Sequence, residues 1–280
     1  MIQNDNRIIN SMWVGTTLSA LELLTIKSFL SCGHEFHLYA YDEISTPLPE
    51  GTVLIDASEI LPRENIFRYK HTNQFGHGKG SLGGFSDLFR YKLLFEKGGW
   101  WVDMDVTCLK PLNFQEEYVF RTHQHLQLVG NIMKCPAGSP ILKKCFDRAL
   151  TEVDAENCDW HKPIQILVDE VLGASMHQYI RDFSNADSWK IIRRLLTRQI
   201  DIPESWLAIH WVNEEWRRNS IPKHFWLPGT SFSALMENSG IEYIVPAAEE
   251  LKLLRKNLSY ASAVRKQLPH KLGVGKWMKD

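Results

Sequence analysis

Two hydrophobic periods alternate along the first hundred residues. RIINSMWVG (7–15) is a mostly apolar run closed by Gly15 and predicts a buried strand. LSALELLTIKSFL repeats its apolar positions every three or four residues and stops at Gly33, which predicts a helix. EFHLYAY and TVLID then predict two more strands. A polar, glycine-dotted stretch from Lys70 to Gly84 leads into FSDLFRYKLLFEKGG, a helix with Gly98 and Gly99 as its stop signal. WWVDMDVTCL follows as a further strand, YVFRTHQ and LQLVGNIMKC read as strands, and Pro140 and Pro163 open two helices. Strands alternating with helices predict an α/β domain built on a largely parallel sheet. Beyond Ser175 the pattern weakens, and no repeat or long linker marks a boundary.

Composition narrows the class. The chain has 280 residues, 44% of them hydrophobic and 23% charged, so it can bury a sizeable core and is neither disordered nor fibrous. No apolar run reaches the ~18 residues of a membrane span, and MIQNDNRIINS lacks a signal-peptide core, which predicts a cytoplasmic protein. The cysteines Cys32, Cys108, Cys135, Cys145 and Cys158 form no C-x-x-C pair and read as reduced packing residues.

The net charge of −1 hides an asymmetry. Residues 251–280 hold Lys252, Arg255, Lys256, Arg265, Lys266, Lys271, Lys276 and Lys279 against the single acid Asp280. This basic C-terminal segment is either a foothold on anionic lipid at the inner membrane face or a solvated terminal face. Aromatic residues are not interleaved with it, which argues against nucleic acid as the partner.

Candidate chemistry concentrates in residues 86–105, SDLFRYKLLFEKGGWWVDMD. On an extended strand Asp103 and Asp105 share a face with α-carbons about 6.5 Å apart, and such a pair can hold a divalent ion beyond the carboxyl end of a strand. Paired carboxylates next to Trp100, Trp101 and Val102 are costly to desolvate without a cation. The bland alternative is an edge strand whose acids face water. Asp87 and Arg90, at i and i+3 on the preceding helix, share a face and can pair or jointly hold hydroxyl groups.

The order Ser86-Asp87, Arg90-Tyr91, Leu94, Gly98-Gly99, Trp101, Asp103-x-Asp105 resembles the retaining GT-A glycosyltransferases with an Asp-x-Asp sugar-binding region. The likeness is to glycosyltransferase family 32 and, more distantly, to the clostridial glucosylating toxins. Trp13-x-Gly15 matches their opening strand, and the resemblance covers residues 7 to about 140. It implies one GT-A (Rossmann-like) domain over residues 1–250, a twisted mixed sheet flanked by helices with helical additions towards the C-terminus. It further implies a metal-dependent transfer of a hexose from a nucleotide sugar, UDP-linked, to a glycan or lipid-linked glycan with retention. Trp13 would stack on the base beside Gly15, and Asp87 and Arg90 would hold the donor's hydroxyls. Asp103 would touch the ribose and the water shell of Mn²⁺ or Mg²⁺, Asp105 would ligate that cation, and Asn131 would flank the sugar pocket. In LAIHWVNEEW, His210 stands six residues before Trp216 as in the family's C-terminal signature, which implies His210 as a third ligand and Trp216 over the phosphates. Glu215 departs from the small hydroxyl residue usual before that tryptophan.

Other patterns compete. Gly78-x-Gly80-x-x-Gly83 fits a dinucleotide fingerprint, with Asp103 about twenty residues on, but the preceding KHTNQFGH is too polar for a buried strand. A flap carrying Lys79 to a phosphate is the better reading. DMDVT (103–107) fits the nucleophile strand of haloacid-dehalogenase-like phosphatases, although no later acidic motif completes that set. A non-catalytic carbohydrate-binding module is a third alternative. His123 and His125 read as structural, and Trp160, Trp189, Trp206 and Trp226 either form an acceptor platform or belong to the core.

Overall fold

The computed structural model describes residues 2–73, 76–156 and 159–259. Its strands are β1 (Ile8–Trp13), β2 (Glu35–Ala40), β3 (Thr52–Asp56), β4 (Gly99–Val102), β5 (Val106–Cys108), β6 (Val119–His123), β7 (Gln127–Cys135), β8 (Ile180–Arg181) and β9 (Ala208–His210). The helices are α1 (Ala20–Ser31), α2 (Gly83–Lys97), α3 (Pro140–Glu152), α4 (Lys162–Gly173), α5 (Trp189–Thr197), α6 (Asn213–Asn219), α7 (Ser231–Asn238) and α8 (Ala248–Asn257). The sheet order is β3-β2-β1-β4-β7-β6-β8, and β5 pairs separately with β9. Strands β1 to β4 run parallel to one another, whereas β7 is antiparallel to both β4 and β6, so the sheet is mixed. This is the α/β architecture expected from the sequence, with helices on both faces.

The two tryptophans of β4 show how both faces are filled. Successive strand residues point to opposite sides. Trp100 lies in one apolar cluster with Ile26 and Phe29 of α1, and Trp101 lies in the other with Leu93 of α2 and Ile166 of α4, its ring 6.2 Å from that of Phe89. Both rings are buried. Side chains extend the short β1–β4 pairing: Asn10 donates to the Trp100 carbonyl at 2.9 Å and Ser11 to that of Val102 at 2.7 Å. The level at which β4 ends is thereby fixed.

The Gly98–Gly99 stop is obligatory. Both residues have positive φ, +68° and +86°, and a Cβ on Gly98 would lie 2.5 Å from the Ala137 nitrogen. The helix therefore ends abruptly and hands the chain straight to β4. The stretch before α2 is held by Gly80 N–H donating to the Tyr69 carbonyl at 2.7 Å and Tyr69 N–H to that of Ser81 at 3.0 Å. Among the described residues no strand leads directly into Gly78 to Gly83, as the dinucleotide fingerprint would require.

One expectation changes. WWVDMDVTCL is not a single strand: the chain leaves β4 after Val102, turns through residues 103–105 and re-enters as β5 in the second sheet.

The chain divides into two compact units, the first running to Asp187 and including Ile202–Trp211, the second comprising Ser188–Asp201 and the chain from Val212 onward. The second unit contains α5 to α8 around Trp216, Trp226, Phe232 and Leu254, and Ser231 Oγ accepts the Ile200 N–H at 2.9 Å. Lys252, Arg255 and Lys256 are exposed on α8, while the basic residues from Arg265 onward lie outside the described residues. Cys32, Cys108, Cys135 and Cys145 are free thiols, and Cys158 also lies outside the described residues. No helix among the described residues is long and apolar enough to cross a membrane.

Candidate active site

The turn between β4 and β5 is pinned at three successive backbone positions. Asp103 N–H donates to the Asn131 carbonyl at 2.9 Å, the Met104 carbonyl accepts from Thr25 Oγ1 at 2.9 Å, and the Asp105 carbonyl accepts from Trp211 N–H at 2.9 Å. Trp211 is itself anchored, its indole N–H donating to Thr107 Oγ1 at 2.8 Å. The two aspartates are therefore presented by a rigid turn rather than by one face of a strand. Single ligand atoms of Asp103, Asp105 and His210 lie within 4.8 Å of one another. His210 reaches the cluster because β9 pairs antiparallel with β5, setting it opposite Val106.

On the α2 side, Arg90 lies between two acids. Its Nη2 is 3.2 Å from Asp87 Oδ1 and 3.1 Å from Asp103 Oδ1, and its guanidinium sits 5.3 Å from the centre of the Trp101 ring. Trp101 donates its indole N–H to Asp103 Oδ1 at 2.7 Å. Gly130 leaves room for this arginine, since a Cβ there would come within 3.0 Å of Arg90 Nη1. Burial pushes the Asp87 carboxyl up to about 6, with Arg90 opposing and Asp103 adding to the rise. Asp103 is raised for the same reason, burial first, with Asp105 as a like charge and Arg90 opposing.

On the β9 side, His210 lies between two carboxylates. Nδ1 is 2.7 Å from Asp187 Oδ1, and Nε2 is 3.3 Å from Asp105 Oδ2. Burial alone would lower its pKa, but the two acids outweigh it and lift it to about 10. Asp187 goes the opposite way: burial would raise it, yet His210 and Arg121 hold it far below the usual carboxylate range. Arg121 grips Asp187 at 2.7 and 3.0 Å and donates to Asn131 Oδ1 at 3.3 Å.

Charge counting tests whether a divalent ion fits. Asp87, Asp103, Asp105 and Asp187 supply four carboxylates against the guanidiniums of Arg90 and Arg121, all largely buried. Once His210 gives up its proton to a cation the cluster carries two uncompensated negative charges, and its carboxylates are the oxygen donors that Mn²⁺ and Mg²⁺ take. The residues fit the ion.

The sequence-predicted residues fall into three groups. Asp87, Arg90, Asp103, Asp105 and His210 converge, and Asn131 joins them through its backbone carbonyl and its contact with Arg121. Trp13 and Gly15 stand at the carboxyl end of β1, the parallel neighbour of β4, with Trp13 Nε1 donating to the Thr17 carbonyl at 3.1 Å and Gly15 N–H to Asp42 at 3.0 Å. Trp216 belongs to the second unit, where its ring lies 5.3 Å from that of Phe232. Sequence reasoning missed Asp187, Arg121 and Asn185; no spacing connects them, and only the fold gathers them. His123 is a structural residue here, its Nδ1 accepting the N–H groups of His125 and Leu126 at 3.1 Å. As a phosphatase nucleophile Asp103 would be poorly prepared, because its Oδ1 is already held by Trp101 and Arg90.

In an open α/β sheet ligands bind beyond the carboxyl ends of the strands, and the paired aspartates stand at such an end, after β4. Comparison with known proteins goes further: residues 58–121 match the family model of the glycosyltransferase sugar-binding region containing the DXD motif. The matched residues include Asp103-Met104-Asp105, an Asp-x-Asp sequence of the kind that model describes, and the enzymatic class of the chain is glycosyl transfer. Among solved structures it is similar to the PaToxG glycosyltransferase, at 13% identity and a TM-score of 0.43 over 62% of this chain and 74% of that one. It is also similar to galactosyltransferase LgtC in complex with donor and acceptor sugar analogs, at 11% identity and a TM-score of 0.46 over 88% and 99%. No curated protein matches the chain.

Proposed function

We propose that this protein uses a divalent cation, Mn²⁺ or Mg²⁺, to transfer a hexose from a nucleotide sugar, UDP-linked, to a glycan or lipid-linked glycan with retention of configuration. The observation that carries the reading is the convergence of Asp103, Asp105 and His210 beside the Asp87–Arg90 pair, inside and next to the matched sugar-binding region. Asp105 and His210 hold the cation, and Asp103 divides its carboxylate between the cation's surroundings and the ribose. Bound there, the cation offsets the negative charge that builds on the departing diphosphate.

The remaining roles belong to the chain itself. Arg90 Nε is buried without a hydrogen-bond partner, which leaves a donor for a sugar hydroxyl, and Asp87 beside it supplies an acceptor. Trp13 stacks on the base at the end of β1, next to Gly15. Asn131 holds Asp103 through its backbone and lines the sugar pocket. No carboxylate is assigned as a covalent nucleophile, so departure and attack take place on the same face of the sugar. The protein works in the cytoplasm, and the exposed Lys252, Arg255 and Lys256 begin a basic segment that meets anionic lipid headgroups at the inner face of the membrane, at about 1 kcal/mol per basic residue near the surface.

The test is a panel of nucleotide sugars scored by thermal stabilisation with and without Mn²⁺, followed by product analysis on the best donor. Mn²⁺-dependent stabilisation by one UDP-sugar supports the proposal. Stabilisation that ignores Mn²⁺ in every case would remove the cation from it.

A further inference from the structure

The carboxylate behind His210 has a role that the Asp-x-Asp region does not describe. Asp187 is buried in a charged network: one oxygen faces His210 Nδ1 at 2.7 Å, and both oxygens accept from Arg121 at 2.7 and 3.0 Å. Arg121 is fixed in turn by the Asn185 carbonyl and by Asn131 Oδ1. Asn185 also clamps the backbone of His210 from both sides, its Oδ1 accepting the His210 N–H at 2.8 Å and its Nδ2 donating to the His210 carbonyl at 2.9 Å. His123 approaches from β6 with Nε2 3.7 Å from Asp187 Oδ2. Because Nδ1 of His123 is already an acceptor of two backbone N–H groups, its proton sits on Nε2 and points a donor at Asp187.

We propose that Asp187 is a positioning residue that fixes the tautomer and orientation of His210. By accepting the Nδ1 proton it leaves the Nε2 lone pair directed at the Asp105 side of the cluster, which is the nitrogen a cation needs. A carboxylate behind a ligating imidazole orients the ring and raises its basicity, and losing such a partner typically weakens metal binding by about 10- to 100-fold. Arg121 holds Asp187 in place, so that Asn131 on β7 and His210 on β9 belong to one network. This inference rests on the proposed metal reading of Asp103, Asp105 and His210.

The test is direct Mn²⁺ binding, followed by the electron paramagnetic resonance signal of free Mn²⁺, on four proteins: wild type, Asp187→Asn, His210→Ala and the His210→Ala/Asp187→Asn double variant. Asp187→Asn should weaken Mn²⁺ binding about 10- to 100-fold in the wild-type background and by less than about twofold once His210 is alanine. Equal losses in both backgrounds would mean that Asp187 acts as a remote charge and would overturn the inference. So would wild-type affinity in Asp187→Asn. Since Asp187→Asn leaves the Arg121 charge buried and unbalanced, Arg121→Gln/Asp187→Asn is the second variant. It restores neutrality, should melt close to wild type and should still bind Mn²⁺ weakly, and recovery of full affinity would again overturn the inference. A wild type that binds no Mn²⁺ overturns the metal reading and this inference with it. Binding that follows the expected pattern without any sugar transfer leaves the inference standing and removes only the proposed reaction.

Discussion

Two charge clusters meet at the Asp103–Asp105 turn, and they are built differently. On the α2 side, Asp87, Arg90 and Asp103 come from the single stretch 87–103 and share a cation that does not titrate, a guanidinium. On the β9 side, Asp105, His210, Asp187 and Arg121 come from four separate stretches, and their middle member is an imidazole between two acids. The first cluster has a permanent positive charge; the second can exchange a proton for another cation. That contrast suits a division of labour in which the first holds the neutral part of the donor, its hydroxyls, and the second holds what must balance the diphosphate.

The most damaging way to break the contrast is Asp105→Asn. It removes one carboxylate from the exchanging cluster and leaves the α2-side pairs untouched, so transfer should fall by at least about 1000-fold while the melting temperature stays near wild type. Turnover within about tenfold of wild type would refute the assignment. Arg90→Lys attacks the other cluster. Lysine cannot reach two carboxylates with a planar fork or spread over the Trp101 ring, so kcat/KM should drop about 100-fold while Mn²⁺ affinity changes by less than about threefold. If instead the cation affinity collapsed, the two clusters would have to be regarded as one.

The same contrast explains what could be read in advance. The α2-side cluster lies within a helix, an obligatory double-glycine stop and a strand, three local patterns in direct succession, so residues 86–105 betray both the elements and the acids they carry. The succession of strands and helices up to α4 also follows from the hydrophobic periods, whereas the order of the strands in the sheet does not. What the pattern could not reveal is the break after Val102, because VDMDVT continues the strand-like apolar alternation while β5 takes its partner from β9, a hundred residues later. His210 was identifiable only by its distance from Trp216. Asp187 and Arg121 carry no local signal at all: a lone aspartate after SNA and an arginine in a strand look like surface charges until β6, β7 and β9 bring them together. Long-range pairing makes the second half of the site, and pairing of that kind leaves little trace in any short window.

Titration of the cation-free protein should separate the clusters by pH. Both His210, at about 10, and Asp87, at about 6, have pKa values raised by folding from ordinary values of 6.5 and 3.8. A raised group stabilises fully below its unfolded value and loses that contribution as pH climbs through the folded one. Stability measured in the presence of a chelator should therefore decline in two windows, from about 4 to 6 through Asp87 and from about 6.5 to 10 through His210. Asp187 is depressed, so its contribution is present above about 4 and is lost only on acidification below that value, outside both windows. The readout is the difference between variants: Asp87→Asn should shrink the lower window, which the raised Asp103 shares, and leave the upper one, whereas His210→Gln should remove the upper alone. A single variant that flattens both would show that the clusters titrate as one.

The smallest effect belongs to a residue in neither cluster. Trp13 ends β1 level with the turn after β4, its ring half-buried among apolar neighbours and its indole N–H satisfied by the Thr17 carbonyl. Stacking on a base contributes about 1–3 kcal/mol. That energy is gained as soon as the nucleotide binds and does not grow as the glycosidic bond breaks, so it lowers KM without raising kcat. Trp13→Ala should accordingly raise the donor KM about tenfold, leave kcat within about twofold and leave Mn²⁺ affinity in the absence of nucleotide unchanged. Steady-state kinetics at saturating acceptor, paired with Mn²⁺ titration, checks all three, and a loss in kcat with KM unmoved would place Trp13 with the charged residues that act on the bond being broken.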